Sequence, residues 1–225
     1  MTRSSYLRRN VIAPMPGVPN NIKQELLMPM TIEIYADFIC PWCYISLERL
    51  GRLAKERPVR FHWNPYLLRP DIPEQGVPLS SILPPGRLER AEAAIREVTQ
   101  AAGLPLNRPD IMPNTRQAHE IGMLAEASGL DDAYHQATLK AYFALARDIG
   151  NADVLVQIGI EVGLDKEQII ETLHSGKYRT EIDRLTNKSF ARGIRSVPNF
   201  IFQSGKRFSG AQPYEEFLRA VDVAA

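Results

Sequence analysis

The chain has only two cysteines, Cys40 and Cys43, and two residues separate them. That pair constrains the fold more than any other feature. A bridge between residues so close in sequence barely restricts the unfolded chain, so the pair is a poor staple. A chain of 225 residues buries enough apolar surface to stand without one. A secreted scaffold held by disulfides uses more cysteines, spread further apart. The pair is therefore read as chemistry, and the sequence around it runs from a strand into a helix. Residues 31–37 (TIEIYAD) alternate, with Ile32, Ile34 and Ala36 on one face. From Tyr44 to about Arg57, the residues Ile45, Leu47, Leu50, Leu53 and Ala54 form an apolar stripe. Pro41 suits the first helical position, where its missing N–H costs nothing, and Pro58 stops the helix. Residues 59–63 (VRFHW) alternate again. Residues 31–63 thus read as one β-α-β unit, expected to be right-handed with parallel strands.

That placement gives the sulfurs a chemical meaning. Cys40 precedes the helix, where unpaired backbone N–H groups and the positive end of the helix dipole favour a thiolate. Free cysteine titrates at roughly 8.5, and motifs of this type lower that to roughly 3.5–7.5. Cys43 lies one turn in, and the i, i+3 spacing brings both sulfurs to one side. One sulfur attacks a partner disulfide and the other resolves the mixed disulfide. A structural zinc is the competing reading, but it needs four ligands. His62, His119, His135 and His174 are scattered, with no two of them three to five residues apart, so no metal is expected. Two unreactive core cysteines are the remaining alternative.

The rest of the chain supplies the context. From Leu79 to about Arg192 the pattern is helical, with candidate helices over 87–102, 114–129, 131–148, 153–162, 166–174 and 177–191. Asn114 or Thr115, and Asp165, are candidate caps. Residues 199–203, a two-residue Ser204-Gly205 turn and residues 206–209 read as a hairpin, and residues 214–223 as a closing helix. The order is β-α-β, helical block, β-β-α. This is an α/β fold in which residues 31–78 and 193–225 form one sheet domain and residues 79–192 an inserted helical domain. Residues 1–30 read as a disordered tail. Pro14, Pro16, Pro19, Asn20 and Asn21 interrupt any apolar run after Arg3, Arg8 and Arg9, so no secretory signal is expected. Lys plus Arg (27) nearly balances Asp plus Glu (26), for a net charge of +1. That balance gives no electrostatic case for nucleic acid or an anionic membrane as partner. No stretch reaches the roughly 18 apolar residues of a membrane span.

The segment Asp37-Phe38-Ile39-Cys40-Pro41-Trp42-Cys43-Tyr44-Ile45 resembles the active-site segment of the FrnE-like branch of the DsbA family, within the thioredoxin-like superfamily. Gly193-Ile194-Arg195-Ser196-Val197-Pro198-Asn199-Phe200-Ile201-Phe202, then Phe208-Ser209-Gly210-Ala211-Gln212, resembles that family's cis-proline loop and closing hairpin. Asn114-Thr115 leads a helix that carries His119, which also fits. The resemblance spans about residues 31 to 223. It implies a thioredoxin-like fold with a large all-helical insertion, and thiol–disulfide oxidoreductase activity on protein dithiols and disulfides. It implies that Cys40 is the exposed nucleophile and Cys43 its buried partner. It further implies a cis Val197–Pro198 peptide facing the dithiol, with the backbone at Val197 pairing with an extended substrate segment. Pro41, Trp42 and His119 are the other expected substrate contacts. No bound cofactor is implied. Glutathione or a thioredoxin-type reductant is the expected redox partner, the compartment is the cytoplasm, and the chain is a monomer or a homodimer.

Two departures from the pattern matter. Many thioredoxin-like proteins keep a buried acid six residues before the nucleophile, as a proton acceptor, and here that position is Ile34. Glu33 and Asp37 flank it; Asp37 either reaches the site or caps the end of the strand. Relatives of the 2-hydroxychromene-2-carboxylate isomerase and kappa-class glutathione transferase types carry Ser at the nucleophile position, where this chain has Cys40. That favours disulfide exchange over a glutathione-dependent isomerase or transferase. A non-enzymatic chaperone-like or redox-sensing binder is the third reading.

Overall fold

In the computed structural model, which describes residues 29–82 and 84–222, the alternating segments become a four-stranded sheet. β1 (Met30–Ala36) runs parallel to β2 (Val59–Pro65), and α1 (Pro41–Glu56) crosses between them. β1 pairs antiparallel with β5 (Asn199–Phe202), which continues through a hairpin into β6 (Arg207–Ser209), giving the order β2-β1-β5-β6. The register sets Ile32 against Phe61 on one side and Phe202 on the other, and Ile34 against Trp63 and Phe200. Strand alternation thus directs one row of large apolar side chains into the core. α8 (Tyr214–Asp222) covers the β5–β6 end. Its Phe217 is fully buried, with ring centroids 4.9 Å from those of both Phe200 and Phe208.

Between β2 and β5 come α2 (Pro85–Ala101), α3 (Arg116–Ala127), α4 (Asp131–Phe143), α5 (Ala152–Glu161), α6 (Lys166–Ser175) and α7 (Arg179–Ala191). These helices share one continuous hydrophobic core with the sheet, running from Ile32 to Val221. Asp165 caps α6 as expected, its carboxylate accepting the Gln168 N–H at 3.0 Å. Asn114 accepts the Arg116 N–H at 2.9 Å, while the Thr115 hydroxyl caps nothing.

Several boundaries correct the sequence reading. α1 takes Pro41 into its first turn, as expected, so it begins ahead of the apolar stripe that starts at Ile45. The helix expected over 131–148 ends at Phe143, where the Asn107 N–H from a neighbouring loop takes its carbonyl at 2.7 Å and Ala146 adopts a left-handed φ of 52°. The helical block is not wholly helical. Ile111–Met112 (β4) pairs antiparallel with Val77–Pro78 (β3), a two-residue ladder too short to leave a period in the sequence. The hairpin loop holds three residues, not two. Phe202 N–H bonds to Lys206 O, and Gly205 N–H to Phe202 O with Gly205 at φ 83°, so glycine supplies the left-handed position that closes such a loop. Met30 belongs to β1 rather than to the tail, and the tail reading for residues 1–28 lies outside the described residues.

Candidate active site

β1 delivers the chain to the site and α1 carries it away. After Ala36 the backbone turns through Asp37, Phe38 and Ile39, and the Cys40 N–H closes that turn on the Asp37 carbonyl at 3.1 Å. Cys40 is the N-cap of α1, with extended backbone (φ −86°, ψ 113°), and Pro41 follows in the first helical turn. The Cys43 N–H bonds to the Cys40 carbonyl at 3.0 Å, so the two residues bracket the first helical turn. Both thiols are free and both residues are buried.

The far end of the chain meets this turn. The Cys40 thiol donates to the Val197 carbonyl at 3.3 Å. The Val197–Pro198 peptide is cis, and the Gly210 N–H holds the Pro198 carbonyl at 2.8 Å. Residues 40, 41, 43, 197 and 198 therefore come together, as the sequence reading expects. Trp42 is 37 % exposed and stands at the surface beside them. One expectation fails: Cys40 is not exposed, with only 3 % of its surface reaching solvent. The reason is the Val197 carbonyl, which occupies the thiol and holds the loop against it.

Cys43 is as buried as Cys40. Burial pushes its thiol well above the usual value, and the hydrogen bond and charge of the Cys40 sulfur add to the shift. A backbone N–H of Asp37 works the other way, whereas the Asp37 carboxylate repels a thiolate there. Releasing the Cys43 proton is thus the uphill step in any chemistry that uses both sulfurs.

Asp37, only 1 % exposed, caps the backbone where β1 ends, and does so from a buried position beside the dithiol. Its Oδ2 accepts the Leu68 N–H at 2.6 Å and its Oδ1 the Ile39 N–H at 3.5 Å. On the remaining side, His119 Nε2 sits 3.4 Å from Oδ1 without hydrogen-bond alignment, and no other group bonds it. His119 is itself buried, its ring 4.7 Å from that of Phe38. The sequence reading put His119 in contact with substrate. The structure corrects this: with 2 % of its surface exposed, it presents nothing to a substrate. A pattern of residues along α3 cannot reveal that, because burial of a histidine depends on which loop packs over the helix.

Glu33, the other acid near the nucleophile, belongs elsewhere. Burial opposes its ionisation, but Arg192 and the Tyr35 hydroxyl outweigh burial and hold its carboxyl below the usual range. Asn64 and Pro65 extend β2, and Tyr66 is buried with its N–H on the Ala36 carbonyl. Among the described residues no three His, Cys, Asp or Glu side chains group as metal ligands. No described helix is long and apolar enough to cross a membrane.

Comparison with known proteins gives the same frame. Residues 31–222 match the model of the DSBA-like thioredoxin domain. A probable DsbA oxidoreductase, SCO1869 of Streptomyces coelicolor, is similar in structure, with 25 % identity, TM-score 0.77 and coverage of 87 % of this chain and 89 % of that one. The cytosolic disulfide reductase DsbM of Pseudomonas aeruginosa aligns at 19 % identity and TM-score 0.65, over 87 % of this chain and all of its own. A 2-hydroxychromene-2-carboxylate isomerase aligns at 19 % identity and TM-score 0.72, over 87 % and 96 %.

Proposed function

The chain belongs to the family of DSBA-like thioredoxin domains, and from that premise we propose that it is a thiol–disulfide oxidoreductase acting on protein substrates through Cys40 and Cys43. The observation that carries this reading is the 3.3 Å contact of the Cys40 thiol with the carbonyl that precedes Pro198. It puts a sulfur at a helix start beside a backbone acceptor on an irregular loop. In the proposed reaction, the Cys40 thiolate attacks one sulfur of a substrate disulfide and the other leaves as a thiolate. Cys43 then attacks Cys40 Sγ, the second substrate thiolate departs, and the dithiol becomes a disulfide. The substrate gains two electrons and the protein loses them; the reverse sequence oxidises a substrate dithiol. Attack frees the Val197 carbonyl, which then accepts an N–H from an extended substrate segment, as an added strand would. Pro41, Trp42 and Pro198 frame that segment.

Glutathione is the small-thiol partner we favour for recycling; the similar reductase DsbM is known in a complex with GSH. A cytoplasmic setting suits a dithiol used transiently rather than structurally. The isomerase-like alternative rests on a likeness of fold, and it needs one sulfur, not two.

Substitution separates the readings. Cys40→Ser abolishes dithiol-dependent reduction of insulin, whereas Cys43→Ser accumulates mixed disulfides with substrate. If wild-type protein reduces no insulin disulfide and refolds no scrambled ribonuclease, the reading is wrong. If Cys43→Ser retains most activity toward a small-molecule substrate, the isomerase-like reading replaces it.

A further inference from the structure

One charged side chain beside the dithiol, Arg195, has no carboxylate partner among the described residues. It lies two residues before Val197, whose carbonyl takes the Cys40 thiol at 3.3 Å. Two residues of chain span at most about 7 Å, so Arg195 belongs to the loop face that meets the sulfur. Other arginines near this face are already paired: Arg192 with Glu33 at 2.6 Å, and Arg69 with Asp71 at 2.7 Å. Arg195 is instead held by carbonyls. Its Nη1 donates to the Phe190 carbonyl, at the end of α7, and to the Ile194 carbonyl at 3.2 Å. A helix C-terminus favours a cation there. The guanidinium lies over the Phe190 ring, 5.8 Å from its centroid, and Tyr66 supports that ring edge-on at 5.3 Å. Nη1 carries two protons, and the two carbonyls use both. The edge formed by Nε–H and Nη2–H has no partner among the described residues, and Arg195 is exposed. That edge is a fork shaped to hold a carboxylate by two parallel hydrogen bonds.

We propose, resting on the exchange reaction above, that Arg195 selects the substrate by pairing with an acidic side chain close in sequence to the reacting cysteine. The preferred substrates are then proteins in which Asp or Glu lies two or three residues from the cysteine that is exchanged. Strand geometry sets the spacing. A substrate segment that places an N–H on Val197 brings the residue two further along beside Arg195, because side chains two apart in an extended chain share a face. Opposed side chains across paired strands have Cβ atoms about 4.5–5.5 Å apart, within reach of an arginine–carboxylate pair. The substrate residue on Val197 is the cysteine or its neighbour, which puts the acid two or three residues from the sulfur. Because Nη1 is already tied down, little side-chain freedom is lost when the carboxylate arrives. A substrate lysine at the same place meets like charge and is disfavoured.

The test uses the reduced full-length protein and short peptides with one cysteine carried as a 2-thiopyridyl disulfide, whose uncharged leaving group absorbs light once released. Asp, Ser or Lys fills the second and third positions from the cysteine, on its N-terminal side in one set and on its C-terminal side in the other. Each rate is divided by that of the same peptide with dithiothreitol, which removes differences in the peptide's own reactivity. Wild type should prefer Asp over Ser by about fivefold in one set, the upper range for an exposed ion pair, and should disfavour Lys. The set that responds gives the direction of the substrate strand. Added salt should weaken the preference. Arg195→Gln brings the Asp-to-Ser ratio close to one, and Arg195→Glu turns the preference toward Lys. Arg195→Lys keeps only part of it, since the charge remains and the fork is lost. The comparison is between peptides on one protein, so a variant with a slowed nucleophile still reports. No Asp preference in either set for wild type, or an Asp preference that survives in Arg195→Gln, overturns the proposal. Failure of the exchange reading itself looks different: wild type then yields no free peptide thiol from any sequence, acidic or not.

Discussion

The two ends of the core are built to different rules. Around β5, β6 and α8 the interior is aromatic and dry: Phe200, Phe202, Phe208 and Phe217 pack edge to face or tilted, with centroids 4.9 to 6.4 Å apart. Around α3, α4, α6 and α7 the interior holds His119, Glu120, His135, Thr138, Thr172, Thr186 and Ser189, all buried. Among the described residues, both Glu120 carboxylate oxygens and the hydroxyls of Thr138 and Thr172 lack hydrogen-bond partners. A buried polar atom without a partner costs about 1–3 kcal/mol. The first region therefore anchors the fold. The second gives up stability, and the site lies where the two meet, with Asp37 facing the polar helices and Val197 arriving from the aromatic end. The contrast makes a physical claim: mutations at the dry end act by volume, and mutations at the polar end act through charge and pH.

The largest effect should come from volume. Phe217→Ala removes a fully buried ring from the four-phenylalanine cluster, and the expected loss is about 3–5 kcal/mol. Urea unfolding at neutral pH measures it, and the loss should be the same at pH 5. A loss that varies with pH would break the contrast.

A smaller effect should come from His135, at the polar end. Burial lowers its imidazole to about 3, against the help of the Asp131 carbonyl at 2.9 Å. Its ring stacks on Trp63 at 4.4 Å and on Phe38 at 5.1 Å. The unfolded chain gains a proton near its ordinary value of 6.5 and the folded chain does not. Stability is therefore full above pH 6.5 and falls as pH drops toward 3, by about 1.4 kcal/mol per pH unit from this one group. His135→Phe keeps the stack and removes the titration. The difference in unfolding free energy between variant and wild type should grow in the variant's favour from pH 6.5 to 4.5. A constant difference would mean the imidazole is not held neutral.

The same contrast explains what was legible in the sequence. The dry end was readable because it obeys periodicity: alternation marks β1, β2 and β5, and a stripe marks α8. The CxxC pair was readable because few residue types suit a helix N-terminus, whereas the Val197-Pro198 segment was legible only through its resemblance to the family's loop. Asp37 was half readable, as an acid near the sulfurs whose side chain no pattern could aim. His119 was misread because α3 looks alike whether its histidine meets solvent or the turn that holds Asp37. The end of α4 was overrun because the Asn107 N–H that stops it comes from a distant loop. Local periodicity carries the elements; it does not carry which polar atom one element points at another.

The smallest effect, and the one with the least obvious sign, concerns Glu120. Its side chain is fully buried, and Arg179, whose Nε lies 3.5 Å away, is half exposed. Burial raises its carboxyl above the usual 4.5, and Arg179 only partly offsets that. A raised acid holds its proton more tightly when folded, so its contribution is complete below pH 4.5 and is lost as pH rises past its folded value. At pH 7 the protein carries a buried charge it would be more stable without. Glu120→Gln should then stabilise the fold slightly at pH 7, because it removes the buried charge and leaves Arg179, half exposed, to water, and by less at pH 4. Arg179→Gln should do the reverse, leaving the carboxylate alone and destabilising at pH 7 more than at pH 4. Denaturation of both variants at the two pH values decides it. If Glu120→Gln destabilises at pH 7, the α3–α7 contact is held together by its ion pair, and the polar end anchors the fold as firmly as the aromatic one.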